Sequence, residues 1–258
     1  MVDTLNWQQW LERVQRGHQA LDRPVPTDAA GQRARSFFDR HYAGNQPLMG
    51  KLPDNWPLHR WTPADIRARV ANADVQVQAG RDADPDFETN GVNHKTTMLF
   101  YDFLDKMDGN DVYMTANNAA LNTKVLQALF ADFDPLPLNI RPPADIGFIW
   151  LGGKTLTPLH HDLSNNLMCQ LMGRKQVRLA RPGQVDKLKY DRGVFSSIKW
   201  LTDAIVAEQG VDILDVTLAP GEYLFVPVGW WHCCLALETS ATVTFTNFPW
   251  PNNYNPGP

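Results

Sequence analysis

Hydrophobic positions recur along this chain with two different periods, and the balance between them changes near residue 140. Residues 3–16 carry Trp7, Trp10, Leu11 and Val14 at i, i+3, i+4 and i+7, which predicts an amphipathic docking helix. A short helix is expected over 33–42, and Leu48 and Met49 open a first strand after Pro47. Thr62 followed by Pro63 reads as an N-cap and first turn, so a helix is predicted from there to about Asn72. Val75 and Val77 alternate with glutamines and predict a strand. Residues 80–95 are polar and aperiodic and read as a loop. Residues 97–107 predict a helix with an apolar face, 111–114 a short strand, and 121–130 a further helix.

From about residue 145 alternation takes over. Strands are predicted at 146–151, 167–171, 175–179 and 223–228, and a last one in which Thr242, Thr244 and Thr246 alternate with Val243, Phe245 and Asn247. Gly152-Gly153, Gly173-Arg174 and Pro220-Gly221-Glu222 supply the turns. An insertion over 182–211 is basic and aromatic, with Lys187, Tyr190, Arg192, Phe195, Lys199 and Trp200, and contains a helix near 201–208. It serves either to meet an acidic substrate or to cover the β core. The tail over 249–258, rich in Pro and Asn, is expected to be extended. The whole therefore reads as one domain over 1–258. Supporting helices and strands occupy 1–140 and a β core occupies 141–250, giving a mainly β fold with flanking helices.

Composition narrows the function classes. A net charge of −4, with no run of Lys or Arg, argues against a binder that tracks nucleic-acid phosphates. Three cysteines, two of them adjacent, make no disulfide framework, so Cys169, Cys233 and Cys234 read as buried small residues. There is no apolar run of signal or membrane-spanning length, so a cytoplasmic, reducing setting and no membrane partner are expected.

The candidate chemistry lies at Thr157-Pro158-Leu159-His160-His161-Asp162. On a strand, residues i and i+2 share a face, so His160 and Asp162 project together and His161 points the other way into second-layer packing. A second imidazole is available at His232, after Pro227 and Gly229 bend the chain. Two histidines and a carboxylate leave open coordination positions suited to non-haem iron(II), although zinc accepts the same donors. Lys175 shares a strand face with Val177 and Leu179. There it either meets an anion or snorkels to solvent. His18, His41, His59 and His94 read as ordinary surface or packing residues.

These motifs, together with Asn166, Gly173-Arg174-Lys175, Pro220-Gly221-Glu222 and Pro227-x-x-Trp230-Trp231-His232, resemble the JmjC-domain 2-oxoglutarate oxygenases. The similarity is to their small, cupin-like hydroxylase branch, which includes factor inhibiting HIF. It spans roughly 22–250 in element order and is close in motif from about 146 to 248. The resemblance implies a double-stranded β-helix (jelly-roll) core, with Fe(II) on His160, Asp162 and His232. It implies 2-oxoglutarate with its far carboxylate on Lys175 and Thr157, joined by Tyr113. Asn166 and Asn247 would lie beside its chelating end, and O2 would be the oxidant. The implied activity is hydroxylation of a peptide or protein side chain with release of succinate and CO2. A small molecule or free amino acid is the alternative substrate. The C-terminal helices that build the dimer of some relatives are missing, which implies a monomer or weak dimer. Two rivals keep parts of the same motif: a metal cupin with no 2-oxoglutarate, and an inactive peptide-binding barrel.

Overall fold

Strands rich in alternating apolar residues must bury one face, and here they do so by closing two antiparallel sheets over each other. The structure is a computed structural model, and it describes residues 36–115, 121–134, 136–139, 147–252 and 254. The predicted helix over 3–16 and His18 lie outside the described residues. None of the described helices is long and apolar enough to cross a membrane.

The larger sheet has eight strands in the order β1-β12-β7-β14-β5-β4-β2-β3, and the smaller has six in the order β11-β8-β13-β6-β10-β9. The core strands are β5 (Gly147–Gly152), β6 (Leu156–His161), β7 (Asn166–Met172), β8 (Lys175–Ala180), β11 (Ile213–Leu218), β12 (Glu222–Val226), β13 (Trp231–Ala236) and β14 (Ser240–Phe245). Successive strands β5 to β8 alternate between the sheets, and so do β11 to β14. That alternation is the double-stranded β-helix. The remaining strands extend the sheets: β1 (Leu48–Lys51), β2 (Asp74–Gln78), β3 (Lys95–Leu99) and β4 (Tyr113–Met114) on the larger, β9 (Tyr190–Arg192) and β10 (Phe195–Ser196) on the smaller.

The helices pack outside. α1 (Pro63–Arg69) begins as the sequence predicts, with the Thr62 hydroxyl accepting from the Asp65 N–H at 3.1 Å. α2 (Phe100–Lys106) and α3 (Thr123–Phe130) bury Phe100, Phe103, Leu126 and Leu129 in the main apolar cluster, which also takes Leu167, Cys169, Val243 and Phe245 from the outer face of the larger sheet. α4 (Asp203–Gln209) is capped by Thr202, whose hydroxyl accepts from Ile205 N–H at 3.2 Å, and ends on Gly210.

One predicted element is corrected. The helix expected over 97–107 starts only at Phe100, because Lys95–Leu99 pairs with β2 along its whole length, setting Thr96 opposite Val77 and Met98 opposite Val75. Cross-strand pairing overrides the local helical pattern. The insertion also holds more order than its sequence shows, since β9 and β10 lie within it. Its apolar residues Val185, Leu188, Ile198 and Leu201 pack with Leu159 and Trp231 on the outside of the smaller sheet. The insertion therefore covers the barrel. Lys199 meets Asp86 at 3.0 Å, so its charge is directed to the protein's own acidic loop.

Gly173 turns β7 into β8 with φ +66, and a Cβ there would press on the Thr239 carbonyl oxygen. Both the left-handed backbone and the contact penalise any side chain. Gly173→Ala is expected to lower stability by about 2–4 kcal/mol, read as an earlier urea midpoint with an unchanged slope. A midpoint equal to the wild type's would refute this account of the turn.

Candidate metal centre

The site forms where the interior of the barrel becomes polar. β6 and β13 pair antiparallel and set His160 directly opposite His232. The register then slips: Cys234 faces Thr157, so two residues of β6, Pro158 and Leu159, stand against one of β13, Cys233. This bulge falls at Pro158-Leu159, and Pro158 has no N–H to lose from the ladder. Its consequence is chemical. Thr157 and His160, three apart, would point to opposite faces of a regular strand, yet both line the same pocket.

His160, Asp162 and His232 bring one donor atom each to within 4.8 Å of one another. His160 Nε2 lies 3.8 Å from Asp162 Oδ1, His232 Nε2 lies 3.8 Å from Asp162 Oδ2, and the two imidazole centroids are 4.2 Å apart. Each ring is held by the same device. His160 Nδ1 bonds the Pro158 carbonyl at 2.8 Å and His232 Nδ1 bonds the Trp230 carbonyl at 2.9 Å. A carbonyl only accepts, so each Nδ1 carries the proton and each Nε2 offers a bare lone pair toward Asp162. Burial lowers the pKa of His232, and the neighbouring His160 lowers it further, which keeps the ring neutral and able to ligate. Burial would raise Asp162, but His232, His160 and the Asn166 amide together hold its carboxyl below the usual range. Asn166 Nδ2 reaches Asp162 Oδ2 at 3.3 Å, while its own Oδ1 is buried without a hydrogen-bond partner. Two imidazoles and a carboxylate converging on one point fit a divalent metal ion.

The pocket encloses about 460 Å³ of empty space, its mouth included. Beyond the metal donors and Asn166 it is walled by Tyr113 and Trp150, Thr157, Met168 and Lys175, then Cys234, Thr242 and Thr244. Lys175 does not snorkel: it is 4% exposed, on the same face as the fully buried Val177 and Leu179. Its Nζ spans the gap between the sheets to donate to Thr242 Oγ1 at 2.7 Å, and Thr242 in turn donates to Gln170 Oε1 at 2.8 Å. No carboxylate meets it among the described residues, and burial pushes its pKa down from 10.5 to about 8. A buried cation with only hydroxyl support, beside a tripod of metal donors, is a positive charge that an acid group entering the cavity would neutralise.

The structure brings His160, Asp162, His232, Lys175, Thr157, Tyr113 and Asn166 to one cavity. Asn247 it does not. β14 ends at Phe245, and Asn247 is half-buried and not part of the pocket wall. Alternation explains why: Thr242 and Thr244 face the cavity, while Val243 and Phe245 face the outer core. His161 packs edge-on against Trp231 at 4.8 Å, away from the metal donors, as strand alternation predicts. His94 clasps the acidic loop, with Nε2 2.9 Å from Asp84 Oδ2 and Nδ1 bonded to the Ala79 carbonyl at 3.1 Å.

Two contributors had no assigned role in the sequence. The Thr-x-Thr repeat of β14 was the available signal for Thr242. Nothing local marked Arg81, which is fully buried between the rings of Phe87 at 4.3 Å and Tyr113 at 4.8 Å and donates to the Leu156 carbonyl at 2.8 Å. It thereby braces Tyr113 and the start of β6 together.

Comparison with known proteins agrees with this geometry. Residues 34–253 match the family model described as a cupin-like domain. The chain is 27% identical over 228 residues to a Jumonji C domain-containing protein 5 of Drosophila melanogaster, covering 79% of this chain and 54% of that protein. It is 31% identical over 224 residues to a lysine-specific demethylase 8 of Xenopus tropicalis, covering 81% and 49%. It is 25% identical over 224 residues to a tRNA wybutosine-synthesizing protein 4 of Aspergillus oryzae, covering 81% and 21%. The chain thus spans about half the length, or less, of these relatives.

The uncompensated charge on Lys175 has a cost that can be measured. Its folded-state pKa lies below its free value, so the folded protein binds fewer protons than the unfolded chain between about pH 8 and 10.5. Stability of the ligand-free protein therefore rises with pH across that window. Lys175→Met is expected to stabilise the ligand-free protein at pH 7 by about 2–3 kcal/mol and to flatten this rise, checked by urea denaturation as a function of pH. A destabilised Lys175→Met protein would show that the lysine is already compensated.

Proposed function

This chain belongs to the cupin-like family, in its JmjC-type branch, and on that premise we propose that it is an Fe(II)- and 2-oxoglutarate-dependent oxygenase hydroxylating a C–H bond of a peptide or protein side chain. The observation that carries this reading is the pairing of two features in one cavity: the His160–Asp162–His232 tripod and the buried, carboxylate-free Lys175. A metal cupin that needs no cosubstrate has use for the first and none for the second. An inactive barrel has use for neither.

When bound, Fe(II) supplies the redox chemistry by which O2 and 2-oxoglutarate give succinate and CO2, the second oxygen atom entering the substrate C–H bond. The chain's own residues position and exclude. His160 and His232 present Nε2 because their Nδ1 protons are held on carbonyls. Asp162 supplies the anionic ligand, oriented by Asn166. Lys175, supported through Thr242 by Gln170, neutralises the far carboxylate of the diacid, and Thr157 and Tyr113 line the same wall. Tyr113 stays a neutral hydrogen-bond donor, because burial raises its pKa and this outweighs the lowering by Arg81. The apolar surroundings select for a ligand that brings its own negative charge.

The relatives' names include lysine-specific demethylases. Oxidation of an N-methyl C–H bond followed by loss of formaldehyde begins with the same hydroxylation, so the substrate's mass separates the outcomes: +16 for a stable alcohol, −14 for a lost methyl group. A wybutosine-synthesis role on tRNA is less suited to a chain of net charge −4 with no basic run. Three free, buried cysteines suit a reducing compartment, and we place the protein in the cytoplasm.

Succinate release with Fe(II), 2-oxoglutarate and O2 tests the reading. Asp162→Ala should abolish it, and Lys175→Ala should raise the 2-oxoglutarate concentration needed by a factor of about 100 while leaving metal uptake within about twofold. Because the lysine must be protonated to pair with a carboxylate, 2-oxoglutarate affinity should fall as pH rises above about 8, toward tenfold per unit. Normal cosubstrate consumption by Lys175→Ala would sink the assignment.

A further inference from the structure

The Pro- and Asn-rich tail reads from sequence as an extended end. In the structure its described residues, to 252 and at 254, return to the metal centre, and their hydrogen bonds close on the turn that follows Asp162, which itself bonds the turn that leads to His232. The first turn follows Asp162 and leads into β7 at Asn166. The second, around Pro227 to Trp230, leads into His232. The turns touch directly: Gly229 N–H donates to the Asp162 carbonyl at 3.1 Å, and Val228 N–H donates to Asn165 Oδ1 at 2.9 Å. Asn165, fully buried, thus bridges from one turn to the other.

What holds Asn165 is Asn252. Its Oδ1 accepts from the Asn165 backbone N–H at 2.7 Å and from Asn165 Nδ2 at 2.9 Å. Its Nδ2 donates to the Asn165 carbonyl at 2.9 Å and to the Thr246 carbonyl at 2.7 Å. This arrangement is unambiguous. A backbone N–H only donates and a carbonyl only accepts, so turning the Asn252 amide over would set like against like at the Asn165 N–H and at both carbonyls, while the Tyr42 hydroxyl, 3.3 Å from Oδ1, accommodates either orientation. The tail itself is pinned by Tyr42, whose hydroxyl donates to the Pro251 carbonyl at 2.9 Å, and by Tyr254 N–H on the Leu163 carbonyl at 3.2 Å.

We propose that the C-terminal strap is part of the metal centre: Asn252, acting through Asn165, is a positioning residue that fixes the Asp162 and His232 turns against each other and so sets metal affinity. Asp162 is the ligand most dependent on it. It stands beyond the end of β6, where no strand partner holds the backbone, whereas His160 and His232 are fixed by ladder pairing. The inference rests on the metal centre alone and not on the identity of the cosubstrate.

Co(II) alone, titrated into the full chain by calorimetry and by its visible d–d absorption, tests it. Asn252→Ala is expected to bind Co(II) at least tenfold more weakly than the wild type, with an altered d–d band reporting a displaced carboxylate ligand. Leu129→Ala, which opens a cavity in the main apolar cluster at α3, serves as a control for lost stability and should keep both affinity and spectrum. Should Asn252→Ala not fold, Tyr42→Phe removes one anchor of the tail and should weaken binding about threefold with the fold retained. Wild-type Co(II) affinity in a folded Asn252→Ala or Tyr42→Phe protein overturns the proposal, as does an equal loss in Leu129→Ala. A wild-type protein that takes up no Co(II) overturns the metal-centre reading with it.

Discussion

The antiparallel pairing of β6 with β13 is the contact on which the site depends. Cross-strand neighbours in one register bring two imidazoles together, tilted by 52° with their centroids 4.2 Å apart. The same ladder slips at Pro158-Leu159, and the slip turns Thr157 inward beside His160. An unbroken ladder would have sent Thr157 out toward the insertion. A proline at the irregular position makes the bulge cheap, since it has no N–H to leave unpaired. The metal donors and the neighbouring wall of the pocket are therefore two readouts of one irregular strand pair.

A polar cavity inside an apolar barrel is bought with stability, and Lys175 shows how the cost is contained. The lysine lies on a face shared with Val177 and Leu179, where apolar side chains pack through to Leu224, Val226 and Trp230. One hydroxyl, Thr242, supports its ammonium group, and Gln170 takes the hydroxyl proton onward while its own amide bonds the Met172 and Gly173 carbonyls. Thr242 and Gln170 are satisfied in this relay, while the Lys175 ammonium, with three donors, bonds one acceptor among the described residues, so the burden falls on this one uncompensated charge. The compensation comes from outside the cavity. The main cluster on the outer face of the larger sheet joins aromatic and aliphatic residues from Phe37 to Phe248, and the insertion builds a second cluster on the smaller sheet. Two apolar outer layers thus allow the inner one to be polar.

Much of this was legible in the sequence because it was written in local periods. The strand spacing of His160 and Asp162, the Thr62-Pro63 helix start and the glycine turns each depend on residues a few positions apart. The elements that escaped depend on partners far along the chain. Lys95–Leu99 looks helical until β2 is laid beside it. Thr242 looks like an ordinary strand residue until Lys175 reaches it from the opposite sheet, 67 positions away in sequence. Asn247 continued the pattern of β14 on paper, but the strand stops at Phe245. Arg81 carried no signal, because a guanidinium sandwiched between Phe87 and Tyr113 is decided by two aromatic rings that the fold alone brings together.

The acidic loop over 81–94 shows how such a site is framed without joining it. Within the loop, Asp84 accepts from the Asn90 amide at 2.9 Å and lies 2.9 Å from His94, and its carboxyl is held near pKa 2 by those bonds. Asp86 turns outward to Lys199 of the insertion, and Phe87 turns inward onto Arg81. Arg81 then reaches β6 at Leu156, next to Thr157. The chain of contacts runs from the insertion through the loop to the pocket wall by an ion pair, a cation against a ring and a hydrogen bond to a backbone carbonyl. Surface ion pairs are individually weak. The buried cation–ring step is the stronger one because Arg81 has no water to return to. A change at Lys199 should thus be felt at the loop and attenuated before the cavity, whereas a change at Arg81 acts on Tyr113 and β6 together.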